Sequence, residues 1–156
     1  MTDPNAFREH ILNVIDSGDA HQDFDSAVDA VPAAMRGKRP AGSPHSPWEL
    51  LEHMRIAQSD ILEYSFDAKH VSPEFPDGYW PVSPEPPNET AWDESVAKFR
   101  ADRAAIVKLV NDPSTDLLAK IPHSSATLLA QILLIADHNI YHLGQLVLVR
   151  RMLEAA

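Results

Sequence analysis

Between Ala68 and Glu89 the chain reads AKHVSPEFPDGYWPVSPEPPNE, with six prolines from Pro73 to Pro87. A proline ring has no N–H to donate and clashes with the preceding turn, so neither a helix interior nor a central strand can run through this stretch. Whatever regular structure the chain has must lie on either side, joined by a long connection. Connections above about 12–15 residues in a compact domain are usually functional or unstructured. Phe75, Tyr79 and Trp80 favour a packed loop here: a crossover covering the end of a bundle, or a lid over a substrate site.

Both flanks carry helix signals. TDP at the start offers Thr2 or Asp3 as a cap and Pro4 in the first turn, followed by Phe7, Ile11, Val14 and Ile15 at helical spacing, with Gly18 as the stop. A short amphipathic piece from Phe24 to Val31 leads into RGKRPAGSPHSP, too rich in Pro and Gly for regular structure. SPWE then combines a Ser46 cap, Pro47 at the first helical position and Glu49 three residues after the cap, the pattern of a capping box. Leu50, His53, Ala57, Ile61 and Tyr64 follow at steps of three and four, so His53 is expected to point inward.

Beyond the prolines, Thr90 with Asp93 repeats the capping pattern. Trp92, Val96, Phe99, Ile106, Val107 and Val110 mark a third long helix that stops near NDPS. Arg103 sits on its apolar stripe, where it is expected to meet a buried carboxylate or to lay its stem along the core. The last helix is expected from about Ser125 to Leu153, without proline and with one glycine, Gly144. No period-two pattern competes and no internal repeat is visible. The expectation is an all-α chain, a four-helix bundle forming one domain over residues 1–156.

Composition narrows the chemistry. With no cysteine, thiol nucleophiles, disulfides and Cys-based metal clusters are excluded, and any metal must be held by His, Asp or Glu. Thirteen Lys and Arg against 23 Asp and Glu give a net charge of -10, which argues against nucleic acid and anionic lipid as partners. Arg36, Lys38 and Arg39 form the one basic cluster; it reads as a solvated loop with room for one anionic group. The start lacks a basic segment followed by an apolar run, and no uncharged apolar stretch approaches the roughly 20 residues of a bilayer span, so a cytoplasmic location is expected.

ADHNIYHLGQL places His138 and His142 four residues apart in a segment otherwise built from Leu, Ile and Val. On a wheel of about 100° per residue they share a stripe with Leu134, Ile135 and Val149. A buried imidazole needs partners for both nitrogens, and leaving one bare costs about 1–3 kcal/mol. A divalent cation answers that demand for two rings at once. Two histidines alone at this spacing are more often imidazoles bonded to carbonyls or hydroxyls than metal ligands. His53, placed inward by a separate argument, brings the count to the three ligands of an open metal site.

Other metal motifs fail residue by residue. A zinc protease helix needs Glu after its first His, where Asn139 stands. A di-iron carboxylate bundle needs Glu three residues before each His, where Leu50, Ile135 and Asn139 stand. His10, His21, His45, His70 and His123 are expected at the surface, with His70 and His123 within reach of a substrate if the loops fold over the site.

WELLEHMRIAQSDIL followed much later by ADHNIYHLGQLVLVRRML resembles the DinB/YfiT-like superfamily of bacterial helical proteins, the ending H-x-x-x-H-x-G-Q being the more specific element. The resemblance extends through most of the chain. It implies an up-down-down-up bundle whose long crossover joins parallel second and third helices, the role that 68–89 would fill. It also implies a metal triad at His53, His138 and His142, which suits zinc or nickel, and iron as well. Relatives include thiol-dependent S-transferases and isomerases, and a dimer is common among them. The expectation is therefore a divalent-metal protein whose three-His site activates a low-molecular-weight thiol, or water, for transfer to a small molecule or for hydrolysis. The alternative is a non-enzymatic, stress-related bundle with a structural metal. Glu49 and Asp60 are near enough to His53 to orient a ligand or take a proton, and Tyr64, Tyr141 and Gln145 are expected chiefly to pack. A homodimer through faces carrying Leu51, Leu62 and Leu148 is expected.

Overall fold

The computed structural model describes residues 4–16 and 20–156; the expected caps Thr2 and Asp3 and the stop at Gly18 lie outside them. The described chain is all-helical, as the periodicity predicts, and compatible with a helical bundle: α1 (Pro4–Ile15), α2 (Phe24–Asp29), α3 (Pro47–Phe66), α4 (Ala91–Asn111) and α5 (Leu128–Glu154). Short 3-10 turns occupy Ala33–Met35 and Asp77–Tyr79. Among the described residues no strand forms, only an isolated bridge between Lys120 and Thr127.

The start of α3 follows its sequence signal closely. Glu49 N–H donates to Ser46 Oγ at 3.2 Å and Ser46 N–H to Glu49 Oε2 at 2.8 Å, a reciprocal box that satisfies two orphan donors. The Ser46 hydroxyl also donates to the Pro84 carbonyl at 2.6 Å, tying this helix end to the proline-rich loop.

The start of α4 departs from its signal. Thr90 is already helical (φ -93, ψ -16) and makes no cap. Asn88 Oδ1 does the capping, accepting from Thr90 N–H at 3.0 Å and Ala91 N–H at 2.9 Å, while the Thr90 hydroxyl turns to Glu94 at 2.7 Å. The helix α5 begins at Leu128 with Thr127 as its cap, later than Ser125. The preceding backbone is held elsewhere, by Ile121 N–H to Ala126 O at 2.9 Å and Leu129 N–H to Leu117 O at 2.8 Å.

Helix α3 packs along α4 and α5, and α1 also packs on α4 and α5. One apolar cluster joins Leu50, Leu51 and Met54 of α3 to Trp92 and Phe99 of α4 and to Leu146 of α5; a second joins Ile11, Ile106, Val110, Ile132 and Ile135. Each fully buried aliphatic side chain contributes about 1.5–3 kcal/mol. Gln58, buried at the centre, donates to Phe99 O at 2.9 Å and accepts from Asn139 at 2.9 Å, joining three helices through one amide. Across α3 and α4, Glu52 meets Ser95, Gln58 meets Phe99 and Ser59 meets Asp102. Across α3 and α5 the order reverses, with Leu50 near Gln145 and Val149 and with Ile61 and Tyr64 near Gln131 and Leu134, so these two helices are antiparallel.

Arg103 meets a carboxylate, but a partly exposed one rather than the buried one expected: Nη2 donates to Asp25 at 2.7 Å, beside Arg100 Nε at 2.6 Å, and its guanidinium lies 5.8 Å from the Phe24 ring. Phe24 in turn stacks on Phe99 at 3.9 Å, which secures α2 against α4. Two expected placements are corrected. Leu51 is fully buried in the core and unavailable to a second chain, whereas Leu148 is exposed. Leu134, expected on the core stripe, is 49% exposed because it borders a cleft beside His138. By length and mean hydropathy (1.3) α5 could cross a membrane; here Ile132, Ile135, Ala136, Leu143 and Leu146 are buried inside the protein, while Leu133, Leu134 and Leu148 are exposed.

Candidate metal centre

His53 lies two turns into α3, and His138 and His142 are one turn apart on α5. Because the two helices are antiparallel, the three rings converge. His53 Nε2 is 3.0 Å from His142 Nε2 and 3.0 Å from His138 Nε2, and one nitrogen from each ring lies within 4.8 Å of the others.

The outward nitrogens fix the inward ones. His53 Nδ1 donates to the Tyr79 carbonyl at 2.9 Å, and His142 Nδ1 donates to Gln145 Oε1 at 2.7 Å. A carbonyl oxygen only accepts, so both protons sit on Nδ1 and both Nε2 atoms present bare lone pairs to each other. Facing lone pairs repel unless a cation lies between them. Nitrogens about 2.0–2.1 Å from one ion can stand 3.0 Å apart, so His53 is placed to share a divalent metal with either ring of α5, and a small shift of the loosely held His138 ring would bring all three onto one ion. His138 Nδ1 is buried without a hydrogen-bond partner, leaving that ring the least constrained.

Burial pushes all three imidazoles below their ordinary titration range. For His142, burial together with the neighbouring His138 and His53 brings the value down to about 4. At neutral pH the rings are therefore uncharged, the form that ligates.

The proline-rich loop builds one side of this centre. Besides the Tyr79 carbonyl, it supplies Trp80, whose ring stacks on His53 at 3.8 Å and 1°. Trp80 also stacks on His45 at 3.9 Å and 8°. His45 is thus a correction: it is half-buried against an indole, with Nδ1 unpartnered and its basicity lowered by burial, and is no surface residue. The loop is further held by Tyr79 OH, which donates to Asp60 Oδ2 at 2.7 Å. At Gly37 a Cβ would stand 2.5 Å from Glu85 Cγ, so only glycine lets the 36–40 connection meet this loop.

The remaining expected residues separate clearly. Glu49 is committed to its cap and to Arg39, whose Nε donates at 2.8 Å, so it is no free base. Asp60 lies with His53 and His138 on a 390 Å³ cleft and accepts from His70 Nε2 at 2.7 Å. His70 and His123 do not line that cleft; His123 Nε2 bonds to Tyr64 O at 2.7 Å, and His70 also meets Glu63 at 3.1 Å. His10 and His21 are exposed, as expected. Tyr64 borders the cleft, and the exposed Tyr141 sets its ring 4.8 Å from that of His142. Gln145, expected chiefly to pack, orients a histidine; its position three residues after His142 put it within reach without deciding between the two roles. Trp80 and the Tyr79 carbonyl had none beyond the aromatic content of the loop.

The basic cluster is dispersed: Arg39 pairs with Glu49, Arg36 lies 4.7 Å over Trp92, and Lys38 is exposed. The cavity that Arg36 and Lys38 border also carries Glu85 and Glu89, which removes the case for an anion site there.

No curated protein and no solved structure matches the chain at a significant level. The family model described as the DinB superfamily matches residues 18–146, a span that contains all three converging histidines and most of the chain. On that match the chain belongs to the DinB superfamily.

Proposed function

We propose that the protein binds one divalent cation through His53, His138 and His142 and uses it in small-molecule chemistry, either S-transfer from a low-molecular-weight thiol or hydrolysis. The observation that carries this reading is the commitment of the His53 and His142 Nδ1 protons to Tyr79 O and Gln145, which leaves Nε2 lone pairs facing one another at 3.0 Å. Three neutral ligands would leave a bound cation its full charge, enough to lower the pKa of a coordinated thiol or water toward neutrality. The chain's own contribution is to hold the rings, through Gln145, Tyr79 and Trp80, and to offer a cleft beside them. That cleft favours chemistry over a structural metal. Three imidazoles suit zinc, nickel, iron and copper alike; zinc or nickel is the ion proposed.

The proposed topology is up-down-down-up. Contacts whose numbering rises together along α3 and α4, from Glu52 with Ser95 to Ser59 with Asp102, support parallel second and third long helices joined by the 68–89 crossover. A homodimer is proposed through the exposed side of α5 that carries Tyr141 and Leu148, to be checked by light scattering.

Elemental analysis of the wild type beside His53→Ala, His138→Ala and His142→Ala tests the site. One metal per chain is expected in the wild type, with each variant largely empty; equal retention in all four would sink the reading. A thiol-transfer screen on the loaded protein then separates transferase from hydrolase.

A further inference from the structure

The cleft beside the triad has a chemical character of its own. Its 390 Å³ lies at the small end of the roughly 300–1,000 Å³ typical of small-molecule sites. Ile61, Tyr64, Phe75 and Leu134 give it apolar and aromatic walls, and no Lys or Arg lines it. Phe75 is 84% and Leu134 49% exposed, so apolar surface stands ready at the rim for a ligand to cover.

Within these walls sits Asp60, 8% exposed. The other buried carboxylates are each matched by a guanidinium, Glu49 by Arg39 and Glu52 by Arg55. Asp60 has none among the described residues: its partners are His70 Nε2 at 2.7 Å, the Tyr79 hydroxyl at 2.7 Å and the Ser72 hydroxyl. Burial alone would raise its pKa, but the bonds from Tyr79 and His70 hold it below the usual carboxylate value, so it is ionised at neutral pH. His70 lies between Asp60 and Glu63, so even a protonated imidazole leaves that trio net negative. Three donors already reach the two Asp60 oxygens, which leaves about one of their four lone-pair positions for a further donor.

We propose that this cleft takes a small molecule with a flat apolar body and a hydrogen-bond-donating, cationic or neutral polar end held by Asp60, and that it rejects carboxylates and phosphates. The inference names the substrate class of the site in the preceding proposal and rests on that reading for its place beside the metal. The side that carries His53 and His138 then receives the reacting end of the ligand.

The test uses benzylamine, benzyl alcohol and benzoate, titrated by ligand-observed NMR into chelator-stripped and zinc-loaded protein. An ionic strength of about 0.15 M limits the reach of the protein's overall charge to about 8 Å. In the stripped protein, where benzoate has no cation to bind, benzylamine is expected to bind about tenfold more tightly than benzoate, with benzyl alcohol between them. Asp60→Asn should bring benzylamine level with benzyl alcohol. Leu134→Trp, made at an exposed rim position, should abolish binding of all three even if Asp60→Asn does not fold. Benzoate binding as well as benzylamine in the stripped protein, a preference that survives Asp60→Asn, or binding undiminished by Leu134→Trp would each overturn the proposal. Loss of the metal reading by elemental analysis, with the preference for benzylamine intact, would leave the cleft's selectivity standing.

Discussion

A single proton position decides how the histidine cluster behaves. With Gln145 Oε1 2.7 Å from His142 Nδ1, the proton is fixed on the outer nitrogen and the inner one is left free. Gln145→Leu is expected to weaken zinc binding about 10–100-fold while leaving the helix content unchanged, as read by competition with a chromophoric chelator and by circular dichroism. The histidines themselves were legible because helical spacing puts His138 and His142 on one stripe and His53 on the inner face of its own helix. The role of Gln145 was not, because one position on a helix face serves equally for packing and for bonding until a partner is seen. His45 and Trp80 were further out of reach: their stack joins a connection to a loop, and neither segment has a period from which a contact can be read.

At the scale of elements, the helix starts show where local signals suffice. Ser46 and Glu49 close a box within four residues, so the sequence alone foretells the start of α3. Ser46→Ala should cost about 1–2 kcal/mol in urea unfolding, since it removes the cap and the bond to Pro84. At α4 the signal at Thr90 misleads, because Asn88 reaches the same N–H groups with a freer side chain. Asn88→Ala is expected to destabilise by about 1 kcal/mol and Thr90→Ala by less than half as much, the reverse of what the Thr90–Asp93 pattern implies. The late start of α5 belongs to the same lesson: backbone bonds from residues 117–121 compete for its first turn, and no capping pattern encodes such a rival.

For the whole molecule, burying three imidazoles together links folding to acidity and to metal. His142 titrates at about 4 when folded and near 6.5 otherwise, so between those values the unfolded chain binds the extra proton. Stability must then rise with pH across that window and fall on acidification through it, by about 3 kcal/mol from His142 at the ~1.4 kcal/mol per pH unit of linkage. His53 and His138, also depressed, act in the same direction. Urea titrations of chelator-stripped protein from pH 7 to pH 4 check the slope; a flat profile would contradict it. A cation present at about 100 times its Kd should add about 2.7 kcal/mol at neutral pH, and that increment should shrink in acid as protons compete for the rings. The all-helical class and the inward histidines were visible in advance through periodicity, whereas the cleft and its carboxylate, held without a guanidinium, arise where the loop folds back onto α3, a long-range event.

The indole lying flat against His53 makes the protein its own optical gauge. Trp48 and Trp92 are sealed in the core, while the third tryptophan shares a π-face with an imidazole that would be polarised by an ion bound at its Nε2. Titrating nickel or zinc should therefore alter the ultraviolet emission saturably, and Trp80→Phe should silence that response while the bulk of the fluorescence persists. A spectrum indifferent to added metal would mean that this ring and the ion never communicate.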